Sequence, residues 1–152
     1  MPKVKVMLDP VSYGQFRGDE TKDCTVRALA NAAGIPYDLA HAHMQAKGRP
    51  HREGMAVTQA HSGFIGYGLQ CLGIYGKTAT AKALRSLTIE GKTHTKPGMT
   101  LLRACKLYPK GSYVILIRGH ATALIDGQIV DSHPQSGAAS VVAIYRKAES
   151  CI

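Results

Sequence analysis

The chain has 152 residues, of which 45% are hydrophobic, and its 19 Lys and Arg against 10 Asp and Glu give a formal net charge of +9. This length predicts a single domain over residues 1–152. No apolar run reaches the roughly 18–20 residues of a membrane span, so we expect no membrane contact. The basic charge is spread along the chain, which predicts at most weak, non-specific attraction to nucleic acid or another polyanion.

The first predicted helix lies within residues 20–48. Its apolar residues recur at the spacing of one buried helix face, at Val26, Leu29, Ala30 and Ala33. Asp23 is the predicted N-cap, Gly34 occupies the place of a left-handed C-terminal residue, and Pro36 prevents continuation. A second helix is predicted over residues 37–47, before Gly48.

The middle of the chain, residues 49–96, has the weakest pattern. Glycines interrupt any long element, at Gly63, Gly66, Gly68, Gly73 and Gly76. We therefore expect a loop-rich region with one short helix over residues 79–87. Loops of this kind often shape a substrate cleft, although they also serve as plain connectors.

The last third predicts a short helix followed by an antiparallel meander. The helix covers residues 99–107, with Leu101, Leu102 and Cys105 facing inward. Asp126-Gly127 is typical of a type I′ hairpin turn, and Arg118-Gly119 predicts another turn. The expected strands are 113–117, 120–125, 128–131 and 140–146. Helices that precede an antiparallel sheet predict an α+β fold, with an N-terminal helix packed on a C-terminal sheet.

Cys24 stands at the start of the first predicted helix. The positive end of the helix dipole favours a thiolate there, although an isolated helical cysteine is more often a small core residue. The other cysteines, Cys71, Cys105 and Cys151, form no CxxC motif with it or with each other. We expect them to be reduced and mostly buried, with Cys151 as an exposed tail thiol.

The hairpin register brings an acid to a histidine. With Asp126 and Gly127 as the turn, Asp131 falls opposite Thr122 and becomes the diagonal neighbour of His120, with Cα atoms ~7–8 Å apart. His120, Thr122, Asp131 and His133 then share one face, and the apolar residues between them point the other way. His133, directly opposite His120, is the alternative partner for the imidazole.

This set of residues predicts acyl-transfer chemistry. Cys24 would attack an acyl carbon as a thiolate, His120 would take and return the proton, and Asp131 would orient the imidazole. The backbone N–H of Cys24 is the expected first oxyanion donor. Gln15 is the one glutamine upstream, and its nine-residue lead over Cys24 makes it a weak candidate for the side-chain donor.

The same residues carry a family resemblance. The segment 23–30, followed by Gly34 and Tyr37, resembles the nucleophile helix of small, phage-encoded papain-like cysteine peptidases, and residues 111–131 resemble their histidine-bearing hairpin. The resemblance covers residues 18–48 and 98–146. It implies a papain-like fold with Cys24, His120 and Asp131 as the triad. Two features differ from papain-type peptidases: the position of the oxyanion Gln is Gly18, and the chain has no Trp.

The predicted function is hydrolysis of a peptide, isopeptide or related amide bond in a peptide or protein substrate, without a cofactor. Two alternatives remain open. One is a non-catalytic binding or virion structural module that contacts DNA or an acidic partner, and the other is a peptidoglycan amidase. Residues 1–10 do not resemble a signal peptide, so we expect a cytoplasmic protein, in the host cytoplasm or the virion if it is phage-encoded. The sequence predicts no oligomeric state.

Histidines raise the question of a metal site. They include His41, His43, His51, His61 and His133. His41 and His43 are two apart on a predicted helix and face different directions, so they cannot easily share a metal ion. We therefore expect dispersed surface histidines and no metal.

Overall fold

The sheet at the centre of the fold is built mainly from the C-terminal half of the chain. The computed structural model describes residues 6–7, 23–49, 55–87, 95–131 and 135–147. Its elements, in chain order, are β1 (Val6–Met7), α1 (Cys24–Ala33), α2 (Tyr37–Ala46), α3 (Val57–Tyr67), β2 (Gln70–Tyr75), α4 (Ala79–Leu87), β3 (Thr95–Lys96), α5 (Leu101–Leu107), β4 (Ser112–Ile117), β5 (His120–Ile125), β6 (Gln128–Val130) and β7 (Val141–Arg146). Helices precede most of the strands, which gives an α+β fold.

The strand order is β1-β6-β5-β4-β7-β2-β3. The five central strands, β6, β5, β4, β7 and β2, pair with one another in antiparallel fashion. The two-residue strands β1 and β3 pair in parallel with β6 and β2 at the edges. The antiparallel sheet was predicted with four strands. The fifth central strand, β2, comes from the middle of the chain and was not predicted.

Both faces of the sheet are covered, as strand β4 shows. Val114 and Leu116 belong to an apolar cluster that includes residues of α1, α2, α3 and α4. Ile115 and Ile117 belong to a second cluster, which contains Leu101 of α5. Because successive side chains of a strand point to opposite faces, this continuous apolar run is buried on both sides. None of the described helices combines the length and the apolar character needed to cross a bilayer.

Helix α1 forms as its sequence predicts. Val26 and Leu29 are fully buried, and Gly34 ends the helix in the left-handed region at φ 70°, with its N–H bonded to the carbonyl oxygen of Ala30 at 2.9 Å. A side chain at this φ would be strained, which explains the glycine. Helix α2 ends one residue earlier than predicted, at Ala46.

The prediction for residues 49–96 was incomplete. Helix α4 has the predicted bounds, but α3 and β2 were missed because their glycines were taken as breaks. A Cβ atom at Gly63 would lie 2.8 Å from Sδ of Met44, a fully buried residue of α2. The glycine therefore leaves room for the end of the Met44 side chain between α2 and α3.

The predicted hairpin forms in the expected register. Ile125 pairs with Gln128, and both turn residues have positive φ, 49° at Asp126 and 81° at Gly127, as a type I′ turn requires. Strand β6 ends at Val130, however, so Asp131 follows the strand and is not part of the ladder. Helix α5 starts at Leu101, two residues later than predicted, because the Thr100 side chain caps it. Leu102, which was expected to face inward, is half-buried.

Candidate active site

Cys24 is the first residue of α1, and this helix packs on β5 and β4. The Cys24 thiol is free and half-buried. The apolar face of α1 and the alanines of β5 share one core cluster, which includes Leu29, Ala121 and Ala123. Small side chains on β5 let the helix lie close to the strand, and this contact places the start of α1 beside the sheet.

His120 is the first residue of β5 and follows the turn at Arg118 and Gly119. Its Nε2 donates a hydrogen bond to Oδ2 of Asp131 at 2.7 Å. The His120 side chain is 26% exposed and that of Asp131 only 5%. The hairpin turn and the end of β6 therefore bring a buried carboxylate to an imidazole that remains accessible.

The imidazole of His120 also interacts with Cys24. Burial acts to lower the pKa of His120, but hydrogen bonds with Asp131 and Cys24 and the charges of both partners outweigh it and raise the pKa to about 10. Since Nε2 is bonded to Asp131, Nδ1 is the ring nitrogen left for the thiol. All three predicted residues therefore lie together, with the histidine between the cysteine and the acid.

Gln135 contributes a contact that the sequence did not reveal. Its Nε2 lies 3.4 Å from Oδ2 of Asp131, the same oxygen that accepts from His120. Gln135 is half-buried and lies four residues after Asp131 in the chain. No periodic pattern covers this segment, so the chain offered no signal that the amide would approach the carboxylate.

Asp23 is the N-cap residue of α1, as predicted, but its carboxylate has other partners. Asp23 holds the N-cap position, but its side chain makes no capping hydrogen bond. Its carboxylate accepts two hydrogen bonds from Nε of Arg27, at 2.9 and 3.0 Å, and one from the Tyr37 hydroxyl at 2.7 Å. The carboxylate, only 4% exposed, therefore ties the residue before Cys24 to α2.

The candidate oxyanion donors are the Gln15 side chain and the backbone N–H of Cys24. Gln15, the weak sequence candidate, lies outside the described residues, as does His133, the alternative partner of His120. The first intrahelical bond of α1 runs from the Arg27 N–H to the Asp23 carbonyl oxygen. The N–H of Cys24 precedes this bond, at a helix end where N–H groups have no intrahelical acceptor.

His41 and His61 are not the surface residues that we expected, and His51 lies outside the described residues. His41 is 1% exposed and His61 is 5% exposed. His61 bonds the hydroxyl of Tyr145 through Nδ1, and Nε2 of His43 donates to the Gly63 carbonyl oxygen at 2.8 Å. These contacts make them part of the packing between the helices and the sheet. The described ranges contain no group of three or more His, Cys, Asp or Glu placed to hold a metal ion.

Cys71 and Cys105 are buried free thiols, as expected for cysteines outside a site. Burial raises the pKa of both, against an opposing backbone hydrogen bond. A neutral buried thiol is a poor nucleophile. Cys151 lies outside the described residues. Comparison of the chain with protein families, with curated proteins and with solved structures finds no match.

Proposed function

We propose that this protein is a cysteine hydrolase with a papain-like fold, which cleaves a peptide, isopeptide or related amide bond. One observation carries the proposal: His120 interacts with the Cys24 thiol and with the Asp131 carboxylate at the same time. A structural histidine needs neither partner, whereas nucleophilic catalysis by a thiol needs a base that is itself oriented by a third group.

The reaction follows from these contacts. The thiol proton of Cys24 passes to His120, and Sγ attacks the acyl carbon, so that a C–S bond forms and the carbonyl electrons move to oxygen. His120 gives its proton to the amine nitrogen as the C–N bond breaks. Water then attacks the thioester, His120 takes the water proton, and the carboxylate leaves as the thiol is restored.

Each neighbour has a part in this scheme. Asp131 stabilises the charged imidazole and fixes its orientation. The Cys24 N–H, at the start of α1, is the donor that we assign to the oxyanion. The arrangement of a thiol-bearing N-terminal helix on an antiparallel sheet that carries the histidine supports the papain-like assignment.

The test is hydrolysis of a mixed peptide library, followed by mass spectrometry. We expect the wild-type protein to produce new peptide termini. Cys24→Ala and His120→Gln should each lower the rate by at least ~10³-fold, because loss of one member of a catalytic unit removes most of the activity of the whole unit. Cys105→Ala is the matched control: it removes a thiol from α5, outside the site, and should retain the activity.

Two outcomes decide the matter. Accumulation of an acyl adduct on Cys24 in the wild-type protein would add direct support. A Cys24→Ala protein as active as the wild type would reject the proposal. So would a correctly folded wild-type protein that cleaves no member of the library.

A further inference from the structure

A cavity of about 420 Å³ lies at the end of the sheet where β4 ends and β7 begins. Its lining includes Ile117, Arg118 and Gly119, and Gly119 directly precedes His120. The first residues of α3 and α4, Val57 and Ala79, form part of its wall. The cavity therefore lies at the end of the sheet where Ile117 pairs with His120, and its volume falls in the range of ligand pockets, roughly 300–1,000 Å³.

A second cavity, of about 380 Å³, adjoins the first. Both cavities are lined by Tyr75, Gly98 and Met99, so they adjoin at these residues. The second also contains Lys96 and Arg103. Together the two linings run from Gly119 to Leu72 of β2.

The described charged residues that line the two cavities are all basic. Arg118 lines the first cavity, Lys96 and Arg103 line the second, and no Asp or Glu is among the described lining residues. All three basic side chains are exposed. Within the described part of the chain, the salt bridges involve other residues. Three cations without acidic neighbours in the lining favour a ligand that carries carboxylates.

We propose that these two cavities form one substrate groove, and that an acidic peptide segment occupies it with its carboxylates on Arg118, Arg103 and Lys96. Its apolar side chains pack on the walls formed by residues such as Ile117, Met99 and Val141. The inference rests on the proposed function only for the position of the scissile bond, beside His120.

A peptide fits this groove better than a nucleic acid does. Single-stranded nucleic acids bind through aromatic faces on which bases stack. The aromatic residues of the groove do not offer such faces. Tyr75 is 5% exposed, and the ring of Tyr108 lies 4.8 Å from that of Tyr113, centroid to centroid. The rest of the lining combines aliphatic residues such as Leu72 and Ile117 with glycines and hydroxyl residues such as Thr78, which suits the side chains and backbone of a peptide.

The first experiment measures binding alone. The Cys24→Ala protein is titrated into a fluorescent peptide of alternating Glu and Leu, and into its Gln-for-Glu counterpart. We expect tighter binding of the Glu peptide. Arg118→Gln and Arg103→Gln should each weaken it by about two- to fivefold, the effect of one exposed ion pair. Lys82→Gln is the control, since it removes an exposed cation of α4 outside both cavities and should leave the affinity unchanged.

Equal affinity for the Glu and Gln peptides, or the same loss in Lys82→Gln as in Arg118→Gln, would overturn the proposal. Tighter binding of a single-stranded oligonucleotide than of the Glu peptide would also overturn it. All variants are compared with the wild type by circular dichroism. Because the substituted basic residues are exposed, we expect these variants to fold as the wild type does.

The second experiment separates this proposal from the proposed function. In the peptide library, wild-type cleavage sites should be enriched in Asp and Glu to one side of the scissile bond, and Arg118→Glu should abolish that enrichment. Cleavage without acidic enrichment would reject the proposed groove but not the proposed hydrolase activity. Selective binding of the Glu peptide without any cleavage would support the groove and reject the hydrolase.

Discussion

Nε2 of His120 lies 2.7 Å from Oδ2 of Asp131, in a pair whose acid is almost fully buried and whose imidazole is accessible. This difference in exposure assigns the two roles. The buried carboxylate cannot reach a substrate, but it can hold the ring and its charge. The ring can contact both the thiol and a bound substrate, which is what a proton carrier must do.

The first prediction concerns the pKa of His120. Asp131→Asn removes the charge that holds the proton on the imidazole, so the pKa of His120 should fall from about 10 toward its ordinary value of 6.5. Nuclear magnetic resonance titration of labelled histidine measures this directly and needs no substrate. Asp38→Asn, on α2, should leave the titration unchanged. An equal pKa in the wild type and in Asp131→Asn would contradict the contact.

The same shift predicts how stability depends on pH. The pKa of His120 is higher in the folded protein than its ordinary value of 6.5, so protonated His120 stabilises the fold. This contribution is fully present below pH 6.5 and is lost as the pH rises to about 10. The difference in unfolding free energy between the wild type and His120→Gln should therefore shrink over this interval. Urea titrations at several pH values check it, and a constant difference would refute it.

Thiol reactivity should single out Cys24. It is half-buried and interacts with a largely protonated imidazole, whereas burial raises the pKa of both Cys71 and Cys105. At neutral pH, iodoacetamide should modify Cys24 at least ~10-fold faster than the two buried thiols. Peptide mapping by mass spectrometry gives each rate separately. His120→Gln should slow only the reaction at Cys24, and equal rates in the folded protein would argue against an activated thiol.

The contact between α1 and α2 should contribute measurably to stability. Tyr37→Phe removes the hydroxyl that donates to the buried Asp23 carboxylate at 2.7 Å. We expect the free energy of unfolding to fall by about 1.5–3 kcal/mol, the range for a hydrogen bond to a charged group. Tyr67→Phe is the matched control, because Tyr67 is 39% exposed and should change stability by less than ~0.5 kcal/mol. Equal urea midpoints for the two variants would show that the hydroxyl of Tyr37 adds nothing.

Local patterns predicted the parts of the site. The apolar spacing and Gly34 define α1, and Asp126-Gly127 sets the register of β5 against β6. These features depend on neighbours a few residues apart, so the chain itself carries them. The same reasoning failed where packing reverses a local preference. Helix α3 contains Gly63, against which Met44 lies, and Asp23 keeps the N-cap position while Arg27 and Tyr37 take its carboxylate in place of a capping bond.

By itself, the sequence determined an α+β chain with a cysteine at the start of a helix and a histidine and an aspartate on one hairpin. Only the tertiary structure brought Cys24 to His120, added Gln135 to Asp131 and placed Arg118, Arg103 and Lys96 in the linings of two neighbouring cavities. The physical reason is the range of the interactions. Turns and helix ends are set by short-range sterics and hydrogen bonds. Contacts between distant segments depend on how the helices pack on the sheet, which no local pattern encodes.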